Sequence, residues 1–278
     1  MSNLSDIKRR LITVKQTRQI TGAMETVSVA KMRKATEVYE KSRAYHKLIT
    51  DIMQCVSPNI NPPPEKGKDA LIVLSSERGL CGGFDNDIFA VAQRIIDDNT
   101  LIFPIGQTAV NYFRSYKNVD TRFADFSCNY SAVKSVADSL LKMYGSEIKT
   151  ISVAYAEYGK QAARPTTLRI LPPEVKASDS TKDKDIEFEP SPQQVLDALI
   201  PLYLSSTLYS AAVNNYAAEQ NARHTAMSTA TESADELIAK LSLEYNRARQ
   251  SSVTGQIVEI VGATSALAQK GAGSEKRS

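Results

Sequence analysis

A glycine-rich segment near residue 80 is the part of this sequence best suited to chemistry. Residues 75–84 read SSERGLCGGF; they follow an apolar run at Ala70–Leu74 and precede a helical pattern. Free backbone N–H groups at a strand-to-helix turn can bind phosphate, so the position favours a nucleotide site. The spacing is not G-x-G-x-x-G, however, and no Lys-Ser/Thr pair follows the glycines as in phosphate loops. The pattern therefore predicts a structural turn in which Gly79, Gly82 and Gly83 give the backbone its freedom, with a nucleotide-binding α/β protein as the alternative.

The other reactive side chains do not form a catalytic pattern. Cys81 could act as a nucleophile, but no histidine lies in the central part of the chain to activate it. The two histidines, His46 and His224, have no neighbour at the spacing of metal ligands. The three cysteines are far apart and odd in number, which argues against a disulfide framework and a zinc site. We therefore expect no catalytic residue, no cofactor and no metal site, and a protein that is not itself an enzyme.

Composition and charge narrow the class of protein. The 278 residues are 42% hydrophobic and 23% charged, as in a folded protein with a sizeable core. No run of about 18 consecutive apolar residues occurs, so the sequence predicts no membrane-spanning helix. The net charge of +3 is too small to favour a nucleic-acid partner. Residues 1–57 hold eleven Lys and Arg against five Asp and Glu, but the acidic residues and the continuing apolar period argue against a cleaved leader.

Both ends of the chain have the pattern of a long helix that pairs with another helix. In residues 1–57, apolar residues recur at alternating steps of three and four, which is the seam of a coiled coil. The sequence Asn61–Pro64 is expected to end this helix. Residues 193–270 repeat the pattern with smaller side chains, and Pro201 is expected to restart or kink the helix. Residues 271–278 are expected to be a disordered tail.

The central part alternates between strand and helix patterns. Residues 68–171 are predicted to form a small α/β domain with parallel strands. The predicted strands are Ala70–Leu74, Leu101–Ile105, Thr121–Phe126, Ile148–Ala156 and an edge strand at Thr166–Leu171. The predicted fold class is α/β: a long antiparallel two-helix coiled coil formed by the N- and C-terminal helices, plus a small Rossmann-like α/β domain.

Three blocks of sequence resemble the gamma subunit family of F-type ATP synthases. They are IKRRLITVKQTRQITGAMETVSVAKMRK at residues 7–34, SERGLCGG at residues 76–83 and NRARQSSVTGQIVEIVGATSAL at residues 246–267. The resemblance implies a rotor shaft, or central stalk, that transmits torque between a membrane c-ring and a catalytic alpha3beta3 ring. It also implies that ion translocation is coupled to ATP synthesis or hydrolysis, with the chemistry on the beta subunits. A coiled-coil scaffold without rotary function remains a third hypothesis.

The resemblance also implies partners and contact residues. It places one copy per complex, bound to alpha, beta and epsilon-type subunits and to the c-ring, without nucleic acid. It implies a peripheral membrane protein on the cytoplasmic side of a bacterial plasma membrane. Residues 172–192 match the foot loop, in which Phe188 and Glu189 face the c-ring. The positions expected to touch alpha and beta are Met24, Arg223, Arg249, Gln250, Thr254 and Glu259.

Overall fold

The described part of the chain contains five helices and four strands. The computed structural model describes residues 4–56, 66–124, 128–159, 163–173, 188–189 and 191–274. The chain divides into two compact units, Met1–Met24 with Ser228–Ser278 and Glu25–Met227. The elements in order are α1 (Leu4–Val56), β1 (Lys68–Leu74), α2 (Phe84–Gln93), β2 (Thr100–Ile105), α3 (Gln107–Phe113), α4 (Tyr130–Met143), β3 (Ile148–Glu157), β4 (Arg164–Leu171) and α5 (Pro192–Ser274).

The two long helices predicted from the apolar seams are confirmed. Helix α1 has 53 residues and α5 has 83. Helix α5 continues through Pro201, so it does not restart there, and it ends four residues beyond the predicted boundary at residue 270. The expected stop at Asn61–Pro64 and the last four residues lie outside the described residues. Among the helices in the described ranges, only α5 is long and apolar enough to cross a membrane, yet 56% of its most apolar stretch is buried inside the protein, as in a core helix.

In the first unit, α1 and α5 pair in antiparallel directions. Arg18 Nε donates to Asp235 Oδ1 at 3.1 Å, and the hydroxyls of Thr21 and Thr231 are 2.8 Å apart. Residue numbers rise along one helix as they fall along the other, which defines the antiparallel pair. Ala234 is buried, so the small side chains of α5 allow close approach of the two backbones, as the predicted coiled coil requires.

In the second unit, a mixed four-stranded sheet has the order β2-β1-β3-β4. Strand β1 is parallel to both β2 and β3, and β4 is antiparallel to β3. Both faces are covered, which explains the continuous apolar run in β1. Ile72 points into the cluster that includes α4 and the ends of α1 and α5 nearest the sheet, whereas Leu71 and Val73 pack with α2 and α3.

The strand predicted at Thr121–Phe126 is not present in residues 121–124, so this prediction was wrong. Val119 makes a single parallel bridge to Ile102, and the chain then turns. The carboxylate of Asp120 accepts from the backbone N–H of Arg122 at 3.0 Å and pairs with the guanidinium of the same residue at 2.6 Å. A short acidic side chain thus offers the backbone a turn in place of a strand ladder. Residues 125–126 lie outside the described residues.

Candidate functional site

The glycine turn, residues 76–83, has a left-handed backbone at three positions. Gly79 and Gly82 have φ of 65° and 63°, and Leu80 between them has φ of 57°. Gly83 differs from the expectation, because its φ of −84° at the N-terminus of α2 is open to any residue. Two glycines therefore provide the conformational freedom of the turn, and Leu80 adopts a conformation that is uncommon for a residue with a side chain.

A carboxylate of the chain itself is buried at this turn, beside the N-terminus of α2. Asp85, in the first turn of α2, is only 7% exposed. Its Oδ1 accepts from the backbone N–H of Ser76 at 2.7 Å, and its Oδ2 accepts from the hydroxyl of Ser76 at 2.5 Å. A carboxylate at a helix N-terminus is favoured by the same backbone dipoles that would hold an anionic ligand. A nucleotide phosphate would meet a negative charge here, so the geometry does not favour the nucleotide-binding alternative.

Cys81 lies beside this carboxylate and is not a nucleophile at neutral pH. It is 3% exposed, and its Sγ is 3.4 Å from Asp85 Oδ2. Burial and the nearby Asp85 raise the pKa of the Cys81 thiol from 9.0 to about 11. Because the thiolate is the reactive form, this thiol is structural.

Arg223 joins α5 to the glycine turn. Its Nη2 donates to the carbonyl oxygen of Gly79 at 3.0 Å and to Glu219 Oε1 at 2.6 Å. The side chains of Arg223 and Glu219 are only 11% and 10% exposed. Burial raises the pKa of the Glu219 carboxyl, and Arg223 offsets part of this rise. The structure thus brings a predicted shaft residue, Arg223, into contact with the glycine turn.

Two asparagines also bind backbone atoms, more than two turns earlier in α5. Asn215 Oδ1 accepts from the backbone N–H of Ala156 at 2.9 Å, and Asn214 Oδ1 accepts from that of Tyr158 at 2.7 Å. Neither residue was predicted from the sequence. The available signal was a pair of amides within an otherwise apolar stretch of helix, where buried polar groups need partners.

The remaining predicted shaft residues differ in burial. Met24 on α1 is partly buried. Every described side chain of α5 from residue 249 to residue 265 is exposed, including large apolar ones such as Val258 and Ile260, each at 65%. The predicted residues in this stretch are Arg249, Gln250, Thr254 and Glu259.

The two predicted foot residues differ in burial. Phe188 is partly buried and packs against the core cluster that includes α4, whereas Glu189 is exposed. Residues 174–187 and 190 of the foot loop lie outside the described residues.

The histidines do not form a metal site with other side chains. His224 Nε2 is 3.6 Å from Glu25 Oε1, and burial lowers the pKa of His46. In the part of the chain that the structure describes, no group of three or more His, Cys, Asp and Glu side chains could hold a metal ion.

Comparison with known proteins gives the family. A family model described as ATP synthase matches residues 3–267. The ATP synthase gamma chain of Ruminiclostridium cellulolyticum is 35% identical over an alignment 292 positions long. The alignment covers 96% of this chain and 99% of the relative. The chain belongs to the ATP synthase gamma family. Solved structures agree with the gamma fold: a chain of the Euglena gracilis mitochondrial ATP synthase has a TM-score of 0.71 at 14% identity, with 95% and 94% of the two chains covered. A chain from the rotor of the same assembly has a TM-score of 0.66 at 14% identity, with 90% of this chain and 98% of that chain covered.

Proposed function

We propose that this gamma-family chain is the rotor shaft of an F-type ATP synthase. It transmits torque between a membrane c-ring and a catalytic ring of alpha and beta subunits, and so couples ion translocation to ATP synthesis or hydrolysis. The observation that carries this proposal is the family match over almost the whole chain, residues 3–267. The two long helices, paired in antiparallel directions, are the elements that a shaft requires.

The contribution of this chain is mechanical, and the chemistry belongs to the partner beta subunits. The glycine turn supports this division, because the Asp85 carboxylate is buried there and the pKa of Cys81 is raised to about 11. Neither group is suited to phosphate binding or nucleophilic attack at neutral pH.

The exposed part of α5 carries the contacts to alpha and beta. Arg249, Gln250, Thr254 and Glu259 present charged and polar groups that can exchange hydrogen bonds with successive partners as the shaft turns. Met24 on α1 adds an apolar contact to a beta-subunit loop. The exposed apolar side chains between these residues suit rotation inside an apolar collar, because apolar contacts are non-directional.

The foot of the rotor meets the c-ring and an epsilon-type subunit. The exposed Glu189 and the partly buried Phe188 are the residues proposed to face the polar loops of the c-ring. The chain is thereby held at the cytoplasmic face of the bacterial plasma membrane as a peripheral protein, in one copy per complex.

Reconstitution tests this proposal directly. Alpha, beta and epsilon-type subunits with the membrane sector are assembled in vesicles with and without this chain, and ATP synthesis driven by an ion gradient is measured. We expect synthesis only when the chain is present, and no ATP turnover by the isolated chain. Robust ATP hydrolysis by the isolated chain, or synthesis without it, would contradict the proposed role.

A further inference from the structure

In the second unit, α5 packs against the carboxyl ends of the parallel strands β1 and β3. Related folds bind ligands at this edge of the sheet. Strands β1 and β3 are parallel neighbours with Val73 opposite Ala154, so the segments that follow them leave the sheet at the same edge. In open α/β sheets, ligands bind at the carboxyl ends of the strands where connections diverge. Here, side chains of α5 make hydrogen bonds to the backbone of the glycine turn that follows β1, and to the backbone at the end of β3 and directly after it.

Three side chains of α5 make these contacts, and each one reaches main-chain atoms. Asn215 and Asn214 accept from the N–H groups of Ala156 and Tyr158, at 2.9 and 2.7 Å. Arg223 donates to the carbonyl oxygen of Gly79 at 3.0 Å. We call Asn214, Asn215 and Arg223 the edge clamp.

The edge clamp is buried. Asn215, Glu219 and Arg223 are spaced by four, so they follow each other on the same side of α5, and Asn214 lies about 100° around the helix from Asn215. Asn214, Asn215 and Arg223 are 8%, 4% and 9% exposed. Ala218, between them, is fully buried against the cluster that includes α2 and α3, which brings the helix close to the sheet edge.

Hydrogen bonds resist sliding of one surface over another, a movement that apolar packing permits. Apolar contacts oppose separation, but they are non-directional and allow one surface to slide over another. A hydrogen bond weakens steeply when its angle or length changes, and a buried polar group that loses its partner is costly. The edge clamp therefore opposes rotation of α5 about its own axis relative to the glycine turn and the end of β3.

We propose that the edge clamp is the joint through which the α/β domain turns α5. This inference rests on the rotor function proposed above. Its three members are positioning residues for torque transfer. Arg223 acts here through Gly79 and Glu219 inside the chain, with its guanidinium turned to those partners.

The first experiment removes both amides and compares the result with a matched control on the same helix. The full complex is reconstituted with Asn214→Ala/Asn215→Ala or with Asn221→Ala, which removes a partly buried asparagine outside the clamp. Amide hydrogen exchange at Ala156 and Tyr158 reports whether the two bonds are lost. We expect exchange there to rise about tenfold in the double variant and to stay unchanged in the control.

The number of ions transported per ATP hydrolysed is then measured in the reconstituted complex. This ratio distinguishes a joint that transmits torque from a contact that only stabilises the fold. We expect the double variant to keep ATP hydrolysis but to pump fewer ions per ATP, with the deficit increasing as the opposing ion gradient rises. A destabilised chain would lower the amount of complex and leave the ratio in assembled complexes independent of load. Faster amide exchange with wild-type coupling at high load would overturn the proposal.

A second variant keeps the test decisive if the double variant does not assemble. Arg223→Lys retains a positive charge beside Glu219 but lacks the planar guanidinium that reaches both Glu219 and the Gly79 carbonyl. We expect the same load-dependent loss, and wild-type coupling in this variant would overturn the proposal. If the wild-type chain itself fails to couple the complex, the rotor function fails. If the wild type couples and the variants do so equally well, only the edge clamp is wrong.

Discussion

At the scale of single residues, Gly106 shows how closely the backbone passes the end of β1. Its φ is 92°, and a Cβ built there would lie 2.7 Å from the carbonyl oxygen of Ser75 and 2.8 Å from its hydroxyl. That hydroxyl accepts from the N–H of Ala109 at 2.9 Å, which anchors the start of α3. Gly106 thus fixes the packing of α3 against the sheet edge.

Replacing Gly106 by alanine should therefore cost far more than the same change in the glycine turn. Gly106→Ala meets backbone and is expected to lose about 3 kcal/mol or more, because strain and overpacking add. Gly79→Ala has nothing within 4 Å of its Cβ, so only the φ of 65° opposes it, at a cost of about 1 kcal/mol. Denaturant unfolding of the full chain measures both values. Equal costs would mean that the close approach at Gly106 is relieved by a small backbone shift.

The raised pKa of Cys81 predicts slow alkylation in the folded chain. A shift from 9.0 to about 11 leaves about a hundredfold less thiolate at pH 8. Peptide mapping by mass spectrometry after timed iodoacetamide labelling should show Cys81 modified at least about a hundredfold more slowly in the folded chain than in denaturant. Comparable rates in the two states would contradict the buried environment beside Asp85.

Removing Arg223 should make stability depend on pH through Glu219. Arg223 lowers the pKa of Glu219, as does Lys31, whereas burial and Asp85 raise it. Without Arg223 the folded-state pKa rises further above the unfolded value, so stability is retained at low pH and is lost as pH increases through the folded pKa. Arg223→Met should therefore lose more unfolding free energy at pH 8 than at pH 5, about 3 kcal/mol or more at the higher pH. A loss that is the same at both pH values would show that Glu219 stays in one protonation state.

Only part of this residue-level geometry could be predicted from the sequence. Gly79 and Gly82 were predicted from their spacing, because positive φ strongly favours glycine. The contact between Gly79 and Arg223 joins positions 144 residues apart, and local patterns contain no information on such a pairing. For the same reason the bonds of Asn214 and Asn215 to the β3 backbone were not predicted.

At the scale of elements, the two long helices follow directly from their apolar seams. A period of three and four residues sustained over many turns specifies a paired helix, and α1 and α5 pair as that period predicts. Pro201 does not restart the helix, because α5 continues through it. In the long helix, packing of Leu199, Tyr203 and Leu204 in the core cluster on both sides of Pro201 outweighs the lost backbone hydrogen bond.

A proline placed farther along α5 should have a different result. Leu241 is partly buried on the pairing half of the helix, in the first unit. Leu241→Pro removes one backbone hydrogen bond and clashes with the preceding turn, at a cost of about 3 kcal/mol. We expect ion-driven ATP synthesis by the reconstituted complex to be abolished. Leu241→Ala, which keeps the helix, is the control, and wild-type synthesis with the proline variant would contradict a rigid helix at this position.

The misassigned strand at Thr121–Phe126 has an equally local cause. Residues 121–126 read TRFADF and include two phenylalanines, a residue type common in strands, but the Asp120 carboxylate binds the backbone two residues later and starts a turn. A hydrogen bond from a side chain to the nearby backbone competes with pairing to a distant strand and carries a smaller entropic cost.

At the scale of the whole molecule, membership of the gamma family separates the rotor from a self-associating scaffold. Both hypotheses use the same helical seams, and the pattern of residues alone left them open. In the first unit, α1 and α5 contact each other within one chain, as Thr21 and Thr231 do. A helix that is paired within its own chain does not require a second copy.

Native mass spectrometry of the assembled complex tests this conclusion. We expect one copy of the chain for three alpha and three beta subunits, as the resemblance to the gamma family implies. The isolated chain should not form dimers through its helices, because the pairing surfaces are already used. Two or more copies in the complex, or a stable dimer of the free chain, would favour the scaffold hypothesis.

The carboxylate of Asp85 at the glycine turn has a consequence for the dependence of this turn on dissolved anions. A turn that is held by a dissolved anion is stabilised only as far as the concentration of that anion allows. Here the acceptor belongs to the first turn of α2, so the hydrogen bonds from Ser76 form without any dissolved ligand. The stability of the turn that receives Arg223 should therefore stay the same when phosphate is added or removed.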